Sequence, residues 1–290
     1  MKLGFIGAGK VGTALAVKLS RKGYSVSAVY DVHEEATKDF VREIKNCKVM
    51  GQLQDVARSA DFVFVSTPDA VIEPVVSSVK WKAGQTVVHC SGANTVALLD
   101  AAKKAGALVG VFHPGQTFAD TKQAIENMAG ATFDIESEEP LLTTLKKMAG
   151  DLDGYWIEVR AEDKPVYHVA VELTSVFVML LFRTAVKMMQ AMDITVEQAV
   201  RVALPMLRGT ANIIETFGNS RPLTGPVDRG DTDTIKRHID GLNRLCPSTL
   251  PLYRELVRQN IPFAAEHESI DQKKSEELLS LINEHGSQFK

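Results

Sequence analysis

The chain has 290 residues, 45% of them hydrophobic and 24% charged, a balance typical of soluble globular proteins and a length that suits two domains better than one core. Its formal charge of −3 lacks the basic bias of a nucleic-acid binder. Cys47, Cys90 and Cys246 stand far apart with no C-x-x-C pair, so neither a disulfide framework nor a zinc cluster is expected, and a reducing, cytoplasmic setting is.

The first apolar run (Leu3, Phe5, Ile6) reads as a buried strand and leaves no room for a signal peptide ahead of it. Gly7, Gly9 and Gly12 follow, then an amphipathic helix marked by Val11, Ala14, Leu15, Val17 and Leu19. Strand, Gly-x-Gly-x-x-Gly turn and helix make a dinucleotide fingerprint: Gly7 permits the tight turn, Gly9 the approach of a pyrophosphate, and Gly12 close helix–strand packing. Ala8, Lys10 and Val11 share that turn, whose helix N-terminus offers unpaired N–H groups to phosphates. The next strand, VSAVYD, ends in Asp31.

Strand and helix signals then alternate. A charged helix over 34–45 precedes a strand near Lys48–Met50, and a helix over 53–59 leads into DFVFVSTP, an apolar run suited to a covered parallel sheet. QTVVHCSGA, a helix over 95–105, LVGVFHPG and ATFDIES continue the pattern, and YWIEV is the last strand signal. From Lys164 only helical periodicity remains, with helices expected over 164–192, 195–217, 231–244, 247–259 and 270–285. The expected fold is α/β: a doubly wound Rossmann-type sheet over residues 1–160, then an all-helical domain over 161–290 for substrate and dimer contacts. Within 164–192, Glu172, Arg183 and Lys187 interrupt a very apolar run. It reads as a helix buried on most sides, in its own domain or against a second subunit, rather than as a membrane span, and so points to a homodimer.

Ligands of doubly wound sheets bind beyond the carboxyl ends of the strands. The residues there are the glycine turn, Asp31, Ser66–Thr67–Pro68, Ser91–Gly92 and His113–Pro114. A carboxylate at Asp31 can accept hydrogen bonds from a ribose and repels a 2′-phosphate, which favours NAD over NADP. Ser66, Thr67, Pro68 and Ser91 would line the cofactor. Hydride transfer also needs a proton donor; His113 is the candidate by position, though a histidine anchoring its own loop fits equally well. Lys164, expected to be exposed, and His168, on an apolar helix, open the second domain near the cleft. Gln116 follows His113 and could meet substrate. His89–Cys90 is no metal pair, because neighbours on a strand point to opposite faces. In the Gly/Pro-rich loop 218–230, Asp231 should cap a helix, while Arg229 either grips a ligand carboxylate or phosphate or pins its own loop.

GFIGAGKVGTALA, VSTPDAVI, HCSGA, HPGQTF, VYHVAVELTS and LTGPVDRGDTDTIKRHIDGL together resemble bacterial Rossmann-like proteins whose helical C-terminal domain has no assigned function, within the 6-phosphogluconate dehydrogenase-like superfamily. The resemblance covers about residues 2–260. It implies NAD- or NADP-linked dehydrogenases and reductases with a helical, often dimer-forming second domain; prephenate dehydrogenases carry a similar His-Pro after the sixth strand, and pyrroline-5-carboxylate reductase looks like a more distant relative. Val176 stands where such relatives carry an Asn that orients substrate, Gly115 where Leu is usual, and Asp228 where a small residue flanks Arg229. The expected function is an NAD(P)-dependent oxidoreductase acting on a small polar, carboxylate-bearing carbonyl, hydroxy or imine compound. Catalysis would fall to His113, Lys164 and Ser91, substrate contacts to Gln116, His168 and Arg229, with no metal and no nucleic-acid or membrane partner. The alternative is a dinucleotide-binding sensor without chemistry.

Overall fold

The computed structural model describes residues 1–220 and 223–283. Two units divide at Ser175/Val176, later than the expected 160/161, because the first helix after the sheet docks onto the sheet itself. In the first unit the elements run β1 (Lys2–Ile6), α1 (Lys10–Arg21), β2 (Ser25–Tyr30), α2 (Glu34–Glu43), β3 (Lys48–Val49), α3 (Leu53–Ser59), β4 (Phe62–Val65), α4 (Asp69–Ser78) and β5 (Thr86–His89). A short 3-10 turn (Val96–Leu99) and α5 (Asp100–Lys104) follow, then β6 (Leu108–Gly115), α6 (Thr121–Asn127), β7 (Thr132–Ser137), α7 (Leu141–Asp151), β8 (Tyr155–Glu158) and α8 (Lys164–Thr174). The single helix expected over 95–105 is therefore two short pieces, and α4, α6 and α7 are additions to the sequence reading.

The strands form one sheet in the order β3-β2-β1-β4-β5-β6-β7-β8, the doubly wound Rossmann-type arrangement expected. It is parallel except that β7 runs against β6. Both faces are covered, as the continuous apolar strands require. On β4, Phe62 and Phe64 enter the core on one side while Val63 and Val65 enter the core on the other. A file of rings runs across the first face: Phe5 stacks on Phe64 at 5.0 Å, and Phe112 on Phe133 at 4.4 Å between centroids. The second face changes character across β5 to β7. There the alternate positions carry His89, His113, Asp134 and Glu136, and no apolar helix can cover them without supplying partners.

The second unit is helical: α9 (Val176–Gln190), α10 (Val196–Phe217), α11 (Thr232–Leu245), α12 (Leu250–Glu266) and α13 (Gln272–Asn283). Residues 284 and 285 of the expected last helix, and 221 and 222 of the expected loop, lie outside the described residues. Thr195 caps α10 in a reciprocal capping box with Gln198, and Asp231 caps α11 by accepting the Thr234 N–H at 3.0 Å. The expected helix 164–192 breaks at Ser175, whose backbone (φ −127°, ψ −81°) leaves the helical region. Nor is that stretch buried within the chain: Val166, Leu173, Val176, Met179 and Leu180 are all at least half exposed. An 18-residue stretch within Ala161–Gln190 is in fact apolar enough for a membrane span, so the charges there do not exclude one by composition.

Candidate active site

At the head of α1, Gly7 has φ +104°, and a Cβ there would lie 2.7 Å from the Ser66 carbonyl; this turn accepts only glycine without strain. Ser66 is tied into the same turn, its hydroxyl donating to Gly7 O at 2.9 Å. Gly9 is the N-cap of α1 and gives no side-chain cap, and a Cβ on it would meet nothing within 4 Å. The first N–H groups of α1 thus have no capping side chain, and Lys10 is exposed beside them. An uncapped helix N-terminus of this kind suits a phosphate group. A cavity of about 640 Å³ adjoins it, lined by the glycine turn, Tyr30, Asp31, Val32, His33 and Ser66–Pro68. The residues fit a dinucleotide.

Asp31 has partners of its own within the protein. Its Oδ2 accepts the Ala8 N–H at 2.7 Å and its Oδ1 the His33 N–H at 2.8 Å. The carboxylate therefore pins the glycine turn, and the Ala8 N–H is not available to a phosphate, contrary to the role expected for Ala8. Thr67 lines the cavity with a buried hydroxyl that has no partner.

At the β5 end, His89 is fully buried and doubly used, with Nε2 donating to Thr95 O at 2.9 Å and Nδ1 accepting the Ser91 N–H at 3.1 Å. Those partners specify the neutral ring, and burial lowers its pKa to about 4. Cys90 points the other way, into the aromatic core, where burial pushes its thiol up to about 12 and removes it as a nucleophile. Ser91 donates to Asp69 Oδ2 at 2.8 Å, and Asn94 bridges the same two groups through its side-chain amide. Asp69 and Asn94 were missed in the sequence, where each reads as an ordinary turn or cap residue.

His113 sits near the end of β6 against Gly92, where a Cβ would lie 2.7 Å from Nδ1. That glycine is what admits the ring. Nδ1 is buried without a partner. Burial, with His168 and Lys164 adding to it, lowers the His113 pKa to about 4, so the imidazole is neutral at pH 7.

Asp134 stands directly across from His113 in the sheet, which places both side chains on one face. Lys164 is fully buried, not exposed as expected. Its Nζ lies 2.5 Å from Asp134 Oδ2 and 3.6 Å from Glu136 Oε2. The sequence reading failed because both carboxylates are contributed some thirty residues earlier, by β7, and local sequence is blind to that contact. Burial raises the pKa of Asp134 and of Glu136, against the opposing pull of Lys164. Tyr167 and His168 follow on the same helix, His168 at i+4 from Lys164 and so on its face. Burial also raises the Tyr167 pKa.

Two expected substrate residues are otherwise engaged. Gln116 closes its own loop, donating to Asn127 O at 3.1 Å and accepting the Thr117 N–H at 2.8 Å. Arg229 belongs to the helical unit and donates to Thr224 O at 3.3 Å. Asp228 turns inward instead of pairing with it, accepting from Gly225 N and Asn260 Nδ2.

Residues 1–114 match the model of a Rossmann-like domain, and residues 131–260 that of DUF2520, a domain of unknown function. The chain is a Rossmann-like protein with a DUF2520 domain. No curated protein matches it significantly. Among solved structures it is similar to BF3122 of Bacteroides fragilis, provisionally assigned as an NADP oxidoreductase (24% identity, 90% of this chain and 98% of that one, TM-score 0.72). Protein TM1727 of Thermotoga maritima is similar to the same degree (23%, 92% and 100%, TM-score 0.72). More distant is Plasmodium falciparum pyrroline carboxylate reductase with NADP bound (16%, 97% and 98%, TM-score 0.60). At these identities the likeness establishes the fold.

Proposed function

We propose that this DUF2520 protein is an NAD(P)H-dependent reductase acting on a C=O or C=N bond of a small polar molecule. The observation that carries the reading is the polar cluster of His113, Asp134 and Lys164, built into the same sheet edge as an uncapped glycine turn. A buried ion pair of this kind does little for stability and is a marker of function when it lies beside histidines of perturbed pKa. A sensor that only bound the dinucleotide would gain nothing from it. The reductases among the similar structures support the same chemistry.

Gly7, Gly9 and the first turn of α1 would hold the pyrophosphate, Asp31 the adenine-side ribose, and Thr67, Pro68 and Ser91 the nicotinamide side. A dinucleotide bound there supplies the hydride. The neutral His113 ring would orient the substrate heteroatom, and its Nδ1, buried without a partner, is available to exchange a proton. Lys164 holds that proton as an ammonium against Asp134. Because Lys164 already faces two carboxylates, an uncharged carbonyl or imine group suits the cluster better than a substrate carboxylate. We also infer a preference for NADH, since a carboxylate after the second strand would repel a 2′-phosphate.

Calorimetric titration with NADH and NADPH tests both points. Tighter NADH binding is expected; tighter NADPH binding would overturn the role of Asp31, and no binding of either would overturn the reductase. The bare apolar surface of α9 and α10, with Met206 at 72% and Ile214 at 60% exposure, is proposed to be covered by a second copy of the chain. Lys164 anchors the start of the apolar run in the sheet unit, which argues against a bilayer as the cover. Light scattering should give a dimer for the unmodified protein and a monomer for Met206→Glu; a monomer in both would refute the pairing.

A further inference from the structure

Of the two carboxylates at Lys164 Nζ, Asp134 is wholly buried, while Glu136 is 17% exposed. That exposure faces a separate cavity of about 210 Å³ at the start of β6, lined by Val96, Lys103, Val109, Glu136, Glu138 and others. Its rim is wet: the Lys103–Glu138 pair there has side chains 54% and 84% exposed. Glu136 Oε2 is held by the Val96 N–H at 3.2 Å and lies beside the ammonium, so the same carboxylate touches both the cavity and Lys164. We propose that Glu136 supplies protons to the site, carrying them from this second cavity to the buried Lys164 ammonium.

The inference rests on the reductase reading, in which each turnover adds a hydride from the dinucleotide and one proton to the C=O or C=N bond. In that reading the Lys164 ammonium gives up the proton and becomes a neutral amine. The Glu136 carboxylate then takes a proton from water in the cavity and passes it to the amine as the two groups, 3.6 Å apart at rest, close to hydrogen-bond distance. Carbon gains the hydride, the heteroatom gains the proton, and solvent loses one proton. Burial raises the carboxyl pKa of Glu136, which suits a group that must be protonated in passing. The groups facing it are Asp134 on its own strand, Lys164 from α8 and the Val96 N–H, with Lys103 and Glu138 at the rim. Glu136 acts through Lys164 and never touches the reacting atoms; it is a positioning residue for the proton.

The decisive measurement needs no substrate: NMR of the 15N-labelled Lys164 ammonium, reading its proton exchange with water. Glu136→Gln keeps an acceptor for Val96 and should slow that exchange at least tenfold. Glu136→Ala should slow it likewise, and formate, small enough for the vacated cavity, should restore it where chloride does not. Unchanged exchange in either folded variant, or equal effects of formate and chloride, overturns the proposal. Once turnover with NADH or NADPH is established, Glu136→Gln should lower kcat and enlarge its solvent isotope effect without changing nucleotide affinity. If the exchange result holds and no substrate is reduced, the reductase reading fails while the path to Lys164 stands.

Discussion

Replacing Lys164 by Met tests the core of the site through stability alone. The side chains of Lys164 and Asp134 are each 0% exposed, with 2.5 Å between Nζ and Oδ2. Methionine nearly matches lysine in length and bulk, so the cavity left behind is small. What remains is a buried Asp134 carboxylate whose other oxygen, Oδ1, already lacks a partner. Stranding such a charge costs about 3–5 kcal/mol. The carboxyl has one escape, protonation, and burial already raises its pKa. In the variant its folded pKa lies further above the unfolded value, so the lost stability is smallest below the unfolded pKa and grows as pH rises through the folded one. Urea unfolding of wild type and variant should therefore show the full deficit at about pH 8 and a smaller one at about pH 5. Pairing Lys164→Met with Asp134→Leu should recover most of the loss, since well-packed apolar pairs replace buried ion pairs at little cost. A deficit below about 1 kcal/mol at the higher pH, where exposed pairs fall, would refute the buried pair. So would equal deficits at the two pH values.

Two other predictions concern its neighbours. His89 has a folded pKa of about 4 against an ordinary value of 6.5, so between these values the unfolded chain binds a proton that the native ring refuses. Stability should fall by up to about 3 kcal/mol as pH drops through that window; His89→Gln should flatten the urea midpoint against pH, and an unaltered slope would clear His89 of the effect. The glycine turn should separate folding from binding. Gly7→Ala, at φ +104° and 2.7 Å from Ser66, should lower the melting temperature and abolish dinucleotide binding, while Gly9→Ala, with open space around it, should melt normally and bind at least tenfold more weakly. Normal binding by Gly9→Ala would remove the pyrophosphate from that turn.

What the sequence disclosed and what it hid have one physical dividing line. The glycine turn was legible because Gly7, Gly9 and Gly12 are constrained by their own backbone and by the strand and helix on either side. The continuous apolar runs of β4 and β5 announced a sheet covered on both faces by the same local logic. Asp31 was placed correctly at the end of β2, but its bond to the Ala8 N–H joins two strand ends and left no mark nearby. Lys164 is the sharpest case. A lysine in the first turn of an apolar helix reads as a solvated end, and TFDIES reads simply as one more strand. Each reading is sensible alone. Together they leave two carboxylates on the inner face of a strand that has neighbours on both sides, and such a face is dry once helices pack on it. Those charges demand a cation from elsewhere in the chain. The only clue lay in asking which cation, and the lysine that opens the helix following the last strand is the one the topology brings back to that face.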